Sequence, residues 1–371
     1  MAGRIHEIRI DRSKTLAQQP ESGHNRWHPA IPPVVRADPG DEVILETRDT
    51  LDGQITWDSR VEDFGSISLG LAHPMTGPVW VNDAEPGDLL EVHFVDIVPE
   101  RFGFTSQLPG FGFLRDLYTE PHLVRWEMNG QYAESPDLPG VRIPEASFPG
   151  VIGLAPSPEQ HRRIIAREAE TAARGGFALP PEPQGAVPAA EPFASEGLRT
   201  IPPRETGGNL DIKHFTKGTT LYFPVWTEGA LLSVGDGHFA QGDSECCGTA
   251  IEMGGTVHVR LGLHKGAARE RRIHGTQFMH DGATLNLASV PRRYYATTGL
   301  SIAEDGTQHS EDANLAARNA LLAMIDHLGT RGYDRQQAYA ICSVAVDLKL
   351  SEMVDVPNFV VSAFLPLDIF V

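Results

Sequence analysis

The 371-residue sequence has few cysteines and no long hydrophobic run, and these absences exclude several classes of protein. Its three cysteines, Cys246, Cys247 and Cys342, cannot all pair within one chain, and adjacent cysteines pair only through a strained bridge. No stretch reaches the roughly 18 apolar residues of a membrane-spanning helix, and the opening MAGRIHEIRIDRSKTLAQQP holds no apolar signal segment. We therefore expect a cytoplasmic protein with no membrane partner.

The sequence is also poor in positive charge. Lysine and arginine total 31 against 49 aspartates and glutamates, which gives a net charge of −18. The electrostatic field of this negative charge repels phosphate backbones, so nucleic acid is not an expected partner. Hydrophobic residues at 41% and charged residues at 22% are typical of a folded chain, long enough for one large unit or two interlocked domains.

The turn residues favour strands over helices. There are 37 glycines and 28 prolines, which punctuate strands and weaken helix interiors. Two segments, ADPGDEVILETRD from Ala37 and AEPGDLLEVHFVDI from Ala84, each join a Pro-Gly turn to an alternating strand with one buried face. We interpret residues 1–155 as an N-terminal β-sandwich part.

The remaining chain divides into two further parts. In residues 156–206, Ser157 and Pro158 predict the start of a helix, and the proline-rich segment after Gly175-Gly176 predicts an extended arm without a core. Residues 207–371 read as a second β block with C-terminal helices, since Leu321, Ile325 and Leu328 share one helical face. We expect this block to interlock with the first part in one large unit.

Possible ligands are most dense between residues 207 and 252. Asp236 and His238 lie two apart, so on an extended chain both face one side, where a carboxylate and an imidazole can bind one divalent metal. Glu252 is an acid in an apolar context, as a general base or a further ligand would be. The alternative is an ordinary Gly-Asp-Gly turn, with Glu252 at a solvated sheet edge.

A second segment rich in polar and aromatic residues is GHNRWHP near the N-terminus. Its prolines make a helix improbable, so His24 and His28 either line a substrate pocket in a rigid loop or bond to the backbone beside Trp27. The sequence has no G-x-S-x-G, Walker A, H-E-x-x-H or C-x-x-C motif, which leaves the common serine hydrolase, nucleotide-binding and zincin classes without support.

Six long blocks, in order along the chain, carry a family resemblance. They are HNRWHPAIPP, GPVWVNDAEPGDLLEV, FPGVIGLAP, GGNLDIKHFTKGTTLYFPV, EGALLSVGDGHFAQGDSECCGTAIE and VAVDLKLSEMVDVPNFVVSAFLPLDIF. Together they resemble the acetamidase/formamidase family from about His24 to Phe370. The resemblance implies a mainly β fold with an α/β C-terminal part, in which a jelly-roll-like β-sandwich carries a few peripheral helices. It also implies a homo-oligomer, zinc binding and hydrolysis of short amides to carboxylate and ammonia.

The resemblance also suggests roles for individual residues. It assigns Asp211 and His214 of GGNLDIKH, Asp236 and His238 of GDGH, and Glu252 of TAIE to the active site. As a hypothesis, Asp211, Asp236 and His238 hold the metal that activates water and polarises the carbonyl. Glu252 then transfers the proton to nitrogen. Lys213 or His214 donates to the oxyanion.

The substrate pocket is expected to be small. We expect its lining to include His24, Trp27, His28, Asn209 and Phe239. Two alternatives remain open: the same scaffold can open a γ-lactam, or it can bind small amides without turning them over.

Overall fold

The computed structural model describes residues 3–371, and strands dominate it. Strands take 33% of the chain and helices 19%, which confirms the prediction of a mainly β protein. The first ten strands are β1 (Ile5–Ile8), β2 (Gly23–His24), β3 (Arg26–Trp27), β4 (Val35–Ala37), β5 (Glu42–Thr47), β6 (Met75–Val81), β7 (Leu89–Gln107), β8 (His122–Met128), β9 (Tyr132–Glu134) and β10 (Arg142–Pro144). The others are β11 (Phe148–Leu154), β12 (Leu198–Arg199), β13 (Gly207–Asn209), β14 (Thr219–Pro224), β15 (Leu232–His238), β16 (Glu252–His264), β17 (Gln277–His280), β18 (Tyr294–Leu300), β19 (Asp347–Glu352) and β20 (Val360–Pro366).

The helices are fewer and mostly C-terminal. The α-helices are α1 (Pro158–Ala173), α2 (Phe193–Glu196), α3 (Ala267–Arg271), α4 (Ala313–Gly329) and α5 (Arg335–Ala345). Short 3-10 helices lie at Leu16–Gln18, Pro20–Ser22, Val61–Ser66, Leu287–Ser289 and Leu367–Ile369. Within residues 3–371, no helix combines the length and the apolar composition that a membrane crossing needs.

Two sheets face each other and form a β-sandwich. One sheet has the strand order β17-β14-β7-β16-β5-β1, and the other has the order β13-β11-β15-β6-β4. The two sheets join where Gly237 and His238 of β15 pair with Met253 and Glu252 of β16. Strands from before residue 155 and after residue 207 alternate in both sheets, while the division of the chain into three parts stays a prediction.

The sandwich core follows from the alternation of the strands. Val257, Val259 and Leu261 of β16 point inward, because successive residues of a strand face opposite sides. The facing sheet contributes its own buried apolar residues, which are Val79, Val81, Ile152, Leu154, Leu232 and Val234. Removing this apolar surface from water stabilises the sandwich.

A second core lies between an extension of the sandwich and the C-terminal helices. The far half of β7 pairs with β8, which continues into β9 and β10. Helices α4 and α5 and the antiparallel sheet β18-β20-β19 pack in this region, with Leu321, Ile325 and Leu328 buried as the helical period predicts. Helix α5 begins at a capping box formed by Asp334 and Gln337.

The segment between the two β blocks contains the predicted helix and arm. Helix α1 begins after Ser157, whose side chain accepts a hydrogen bond from the Gln160 backbone N–H. The arm is tied down by the buried Arg26, which donates to the carbonyl oxygens of Glu182 and Gln184. The expectation that the arm contributes nothing buried is wrong at positions 186 and 187, since Ala186 and Val187 are 5% exposed.

Candidate active site

Four of the predicted site residues meet where the two sheets join. Asp236 and His238 belong to β15, Glu252 opens β16, and Asp211 follows β13. The strand register places Glu252 directly opposite His238. Nε2 of His238 lies 3.1 Å from Oε2 of Glu252 and 3.5 Å from Oδ2 of Asp236. Long-range pairing therefore gathers residues that are up to 41 positions apart in the sequence.

An unusual backbone conformation orients the Asp211 and Asp236 carboxylates. Asp211 and Asp236 have φ angles of 48° and 55°, in the left-handed region that residues other than glycine seldom adopt. The extended conformation expected for the Asp236–His238 pair is therefore not the one found, although both side chains reach the same cluster. Such unusual conformations persist where the surrounding structure holds them, and they concentrate at functional sites.

Gly150 of β11 closes the cluster on one side. A Cβ atom built on this residue would lie 2.5 Å from Oδ1 of Asp211, 2.7 Å from Cε1 of His238 and 2.8 Å from Oδ2 of Asp236. No side chain fits there without displacing the cluster. The lack of a side chain at position 150 thus lets the backbone of β11 pack directly against these three residues.

Burial and the charges of neighbouring groups shift the pKa of every ionisable group in the cluster. Burial raises the pKa of Glu252 to about 8. It also raises the pKa of Asp211 and of Glu245 well above the ordinary range of a carboxyl group. Burial alone would raise the pKa of Asp236 too, but the nearby His73 and His238 lower it. Burial opposes a charge on His238, yet Glu252 and Asp236 raise its pKa. Such perturbed groups mark functional-site candidates.

The cluster has the donor atoms of a site for a divalent cation. Among the described residues, four of its buried atoms make no well-aligned hydrogen bond, although two of them lie 3.1 Å apart. They are Oδ1 of Asp211 and Oδ1 of Asp236, and the close pair Nε2 of His238 and Oε2 of Glu252. Asp211, Asp236 and His238 offer ligand atoms within 4.8 Å of one another, and so do His238, Glu245 and Glu252. Leaving buried polar atoms unpaired is costly, and a cation bound by carboxylate oxygens and an imidazole would satisfy them.

Gln241 fixes which nitrogen of His238 faces the cluster. Its amide nitrogen donates to the carbonyl oxygen of Asp211 at 2.8 Å, so its oxygen points to Nδ1 of His238, 3.0 Å away. That oxygen can only accept, so Nδ1 carries a proton, and in the neutral imidazole the lone pair of Nε2 is directed into the cluster. This is the usual arrangement behind an imidazole ligand, and no sequence pattern indicated it.

A cavity of about 330 Å³ opens onto the cluster. Its lining includes Asp211, Asp236 and Glu252. It also includes two residues for which no role was predicted, His73 and Glu245. His73 is 8% exposed and its Nδ1 is buried without a hydrogen-bond partner in the described structure. His73 lies far in sequence from the ligand-rich segment, so no sequence pattern indicated that it belongs to the site.

Of the residues expected to contact substrate, Asn209 alone lines this cavity. Its amide nitrogen donates to the carbonyl oxygen of Ile201 at 3.1 Å, while its Oδ1 is buried and lacks a partner among residues 3–371. Lys213 and His214 instead line a second cavity of about 1150 Å³, where the Lys213 ammonium pairs with the Asp347 carboxylate. The expectation that they face the reacting carbonyl is therefore corrected.

The residues of the GHNRWHP segment and Phe239 serve packing and backbone hydrogen bonding in this fold. Nδ1 of His24 donates to the Arg26 carbonyl oxygen at 2.6 Å, and Nε2 accepts from the Ser233 hydroxyl at 2.8 Å. Trp27 is buried against Met75, Val151, Ile164 and Leu198.

His28 and Phe239 also lie outside the cavity lining. Nδ1 of His28 accepts from the Ala30 backbone N–H, and its ring meets that of His161 edge-on. Phe239 is fully buried in the second core. The expectation that His24, Trp27, His28 and Phe239 form pocket walls is thus corrected, because each is occupied by packing or backbone bonding.

The fold and the cluster together define a class, a β-sandwich protein with a buried, cation-capable group of carboxylates beside a small cavity. The acetamidase/formamidase family model matches residues 9–371. The chain belongs to that family, which confirms the resemblance found in the sequence.

Individual relatives agree with this membership. A formamidase from Methylophilus methylotrophus is 37% identical and the match covers 98% of this chain and 93% of that protein. An acetamidase from Mycolicibacterium smegmatis is also 37% identical, over 90% of this chain and 87% of its own length. Among solved structures, a γ-lactamase from Delftia acidovorans matches with a TM-score of 0.92 and 37% identity, over 98% of this chain and 93% of that chain.

Proposed function

We propose that this protein hydrolyses short aliphatic amides to a carboxylate and ammonia. The chain is an amidase, a hydrolase of carbon–nitrogen bonds other than peptide bonds, as its formamidase and acetamidase relatives are named. The observation that carries the proposal is the cluster of buried carboxylate and imidazole atoms without well-aligned hydrogen bonds, whose carboxylates line the cavity. An amide needs an activated water, a stabilised oxyanion and a proton for the leaving nitrogen, and this cluster can meet those needs.

Asp211, Asp236 and His238 are the proposed ligands of a divalent cation, and we propose zinc. Imidazole nitrogen and carboxylate oxygen are both ligands that zinc accepts, and Gln241 holds the imidazole in the required tautomer. When bound, the ion supplies a Lewis acid that polarises a carbonyl oxygen and lowers the pKa of water.

Glu252 is the proposed general base and acid. Its Oε1 accepts the Ala250 backbone N–H at 2.9 Å, which fixes the carboxylate, while Oε2 is buried without a hydrogen-bond partner in the described chain. Glu252 lines the cavity, so Oε2 can take a proton from water there and deliver it to the leaving nitrogen.

Asn209 and His73 are the proposed contacts for the amide group. Oδ1 of Asn209 can only accept, so it suits an amide N–H of the substrate. Nδ1 of His73 is also unpartnered at the cavity, and burial lowers the pKa of this histidine. A neutral imidazole there can donate or accept one hydrogen bond without adding charge.

The test is ammonia release from formamide and acetamide by purified protein, measured before chelation, after chelation and after zinc is restored. We expect release that chelation abolishes and zinc restores. Release that ignores the chelator in protein shown to be metal-free would contradict the metal assignment, and no release from metal-loaded protein would contradict the amidase proposal. Metal content per chain, measured in each sample, separates the two results.

Opening of a γ-lactam is the second candidate function. The similarity to the Delftia acidovorans γ-lactamase, with a TM-score of 0.92, favours it. A lactam is a cyclic amide, so the same polarised carbonyl and proton transfer apply. Adding a γ-lactam to the panel and following ring opening by chromatography compares the two rates directly.

The assembly and compartment are also proposals. We propose a homo-oligomer, because large exposed apolar residues concentrate in one stretch, namely Phe278, Met279, Leu285, Leu287, Val290, Tyr294 and Tyr295. A light-scattering mass of 40.4 kDa, that of one chain, would contradict it. We propose a cytoplasmic location, which the three free, buried cysteines fit.

A further inference from the structure

The cavity changes in both burial and polarity from its floor to its mouth. Asp236 and Glu252 at the floor are 3% and 2% exposed. Phe177, which also lines the cavity, is 63% exposed, and the Arg115 guanidinium lies over its ring at 5.2 Å. The reacting groups therefore lie at the deep end, and an aromatic ring and a cation mark the opening.

Apolar side chains line the cavity between these two ends. Leu51 is buried, and the half-buried wall residues are Leu69, Leu108, Phe111, Phe113 and Ile201. Partly exposed leucine and phenylalanine side chains around a cavity lose contact with water when an apolar ligand covers them. The wall is thus suited to hydrocarbon, whereas the floor is suited to the amide group.

The cavity is also larger than the smallest amides require. Its volume of about 330 Å³ holds roughly ten water molecules. It reaches the lower end of the range of about 300–1,000 Å³ found for pockets that take drug-sized ligands. Acetamide has four non-hydrogen atoms, so most of the apolar wall would stay in contact with water when acetamide is bound.

We propose that the cavity selects primary amides with an extended apolar acyl chain over formamide and acetamide. This inference rests on the proposed function, because it places the amide carbonyl at the carboxylate cluster. The amino group of a primary amide carries no substituent, so the acyl chain is the only part that can run toward the mouth. It then lies along Leu108, Phe111 and Phe113, and each buried methylene adds favourable transfer free energy.

The experiment is a series of kcat/KM values for ammonia release from acetamide, butanamide and hexanamide. We expect kcat/KM to rise about four-fold for each added methylene that the wall buries. A value that is flat or falls with chain length, while acetamide is hydrolysed, would overturn this inference and leave the proposed function standing. No ammonia from any member of the series would instead refute the proposed function, and this inference with it.

Two wall variants test the location of the acyl chain. In Phe111→Ala and Leu108→Ala, we expect the hexanamide-to-acetamide ratio of kcat/KM to fall roughly 10-fold, since the chain loses part of its apolar contact. Leu350→Ala is the matched control, because Leu350 is 61% exposed and does not line the cavity. Unfolding temperatures of all three variants identify any variant that has lost its fold. An unchanged ratio in both folded wall variants would overturn the assignment.

Discussion

Replacing Gly150 by alanine inserts one methyl group among the three proposed metal ligands. Its φ lies outside the left-handed region, so alanine fits the backbone and the perturbation is steric alone. The new carbon would stand 2.5–2.8 Å from atoms of Asp211, His238 and Asp236, whereas ordinary contacts begin at 3.4 Å. The ligands or strand β11 must therefore move by about 0.6–0.9 Å.

A displacement of this size has measurable consequences for both function and stability. A misplacement of about 1 Å at a reacting centre can lower the rate on the order of 100-fold, and overpacking a buried site costs about 1–3 kcal/mol. We expect Gly150→Ala to fold, to retain less than one metal ion per chain after dialysis, and to lose about 100-fold in kcat/KM for acetamide.

The assays are metal content by mass spectrometry, ammonia release and thermal unfolding, run beside a matched control. Gly275→Ala is that control, because a Cβ there meets nothing within 4 Å and its φ is also outside the left-handed region. It should change stability by less than about 1 kcal/mol and leave activity intact. A Gly150→Ala protein with full metal content and full activity would refute the ligand cluster as the site of the reaction.

Four further substitutions have definite expected outcomes. Glu252→Gln should keep the fold and the metal content but lower turnover at least about 100-fold, because an amide cannot take the proton; unchanged ammonia release would remove Glu252 from the mechanism. Burial lowers the pKa of His24 to about 4, whereas an exposed histidine has a pKa near 6.5. Between these pH values the unfolded chain binds a proton that the folded chain does not bind, so the free energy of unfolding falls as the pH drops, by up to about 3 kcal/mol. His24→Gln should flatten this pH dependence in urea unfolding, and an equally steep dependence would assign it to other groups. Ile325→Ala, at a 1% exposed position in α4, should cost about 2–5 kcal/mol, whereas Leu350→Ala, at a 61% exposed position, should cost close to nothing.

The sequence predicted the elements that short-range patterns encode. The Pro-Gly turns before β5 and β7, the alternation along those strands and the start of α1 all act within a few residues, so a local pattern suffices. The grouping of Asp236, His238 and Glu252 was also predicted, because their segment is dense in ligand residues and their strands are adjacent in sequence.

The errors concern contacts that no local pattern carries. His24 bonds to Ser233, 209 residues away, and so serves packing where a pocket residue was expected. Lys213 is two residues from Asp211, yet its ammonium group belongs to the second cavity. His73 reaches the site from a loop more than 130 residues before the ligand-rich segment. Proximity in sequence therefore indicated which segment holds the site, and only the fold determined which side chains face it.

The cluster of carboxylates around His238 lies against the C-terminal core. Glu252 is flanked by Ile251 and Met253, and His238 is followed by Phe239, and these three apolar residues pack in the same core as α4 and α5. The helices thus act as a distant support that sets how firmly the carboxylates are held. Substitutions in them can tune turnover without touching a ligand, so relatives with identical site residues can evolve different rates and working temperatures.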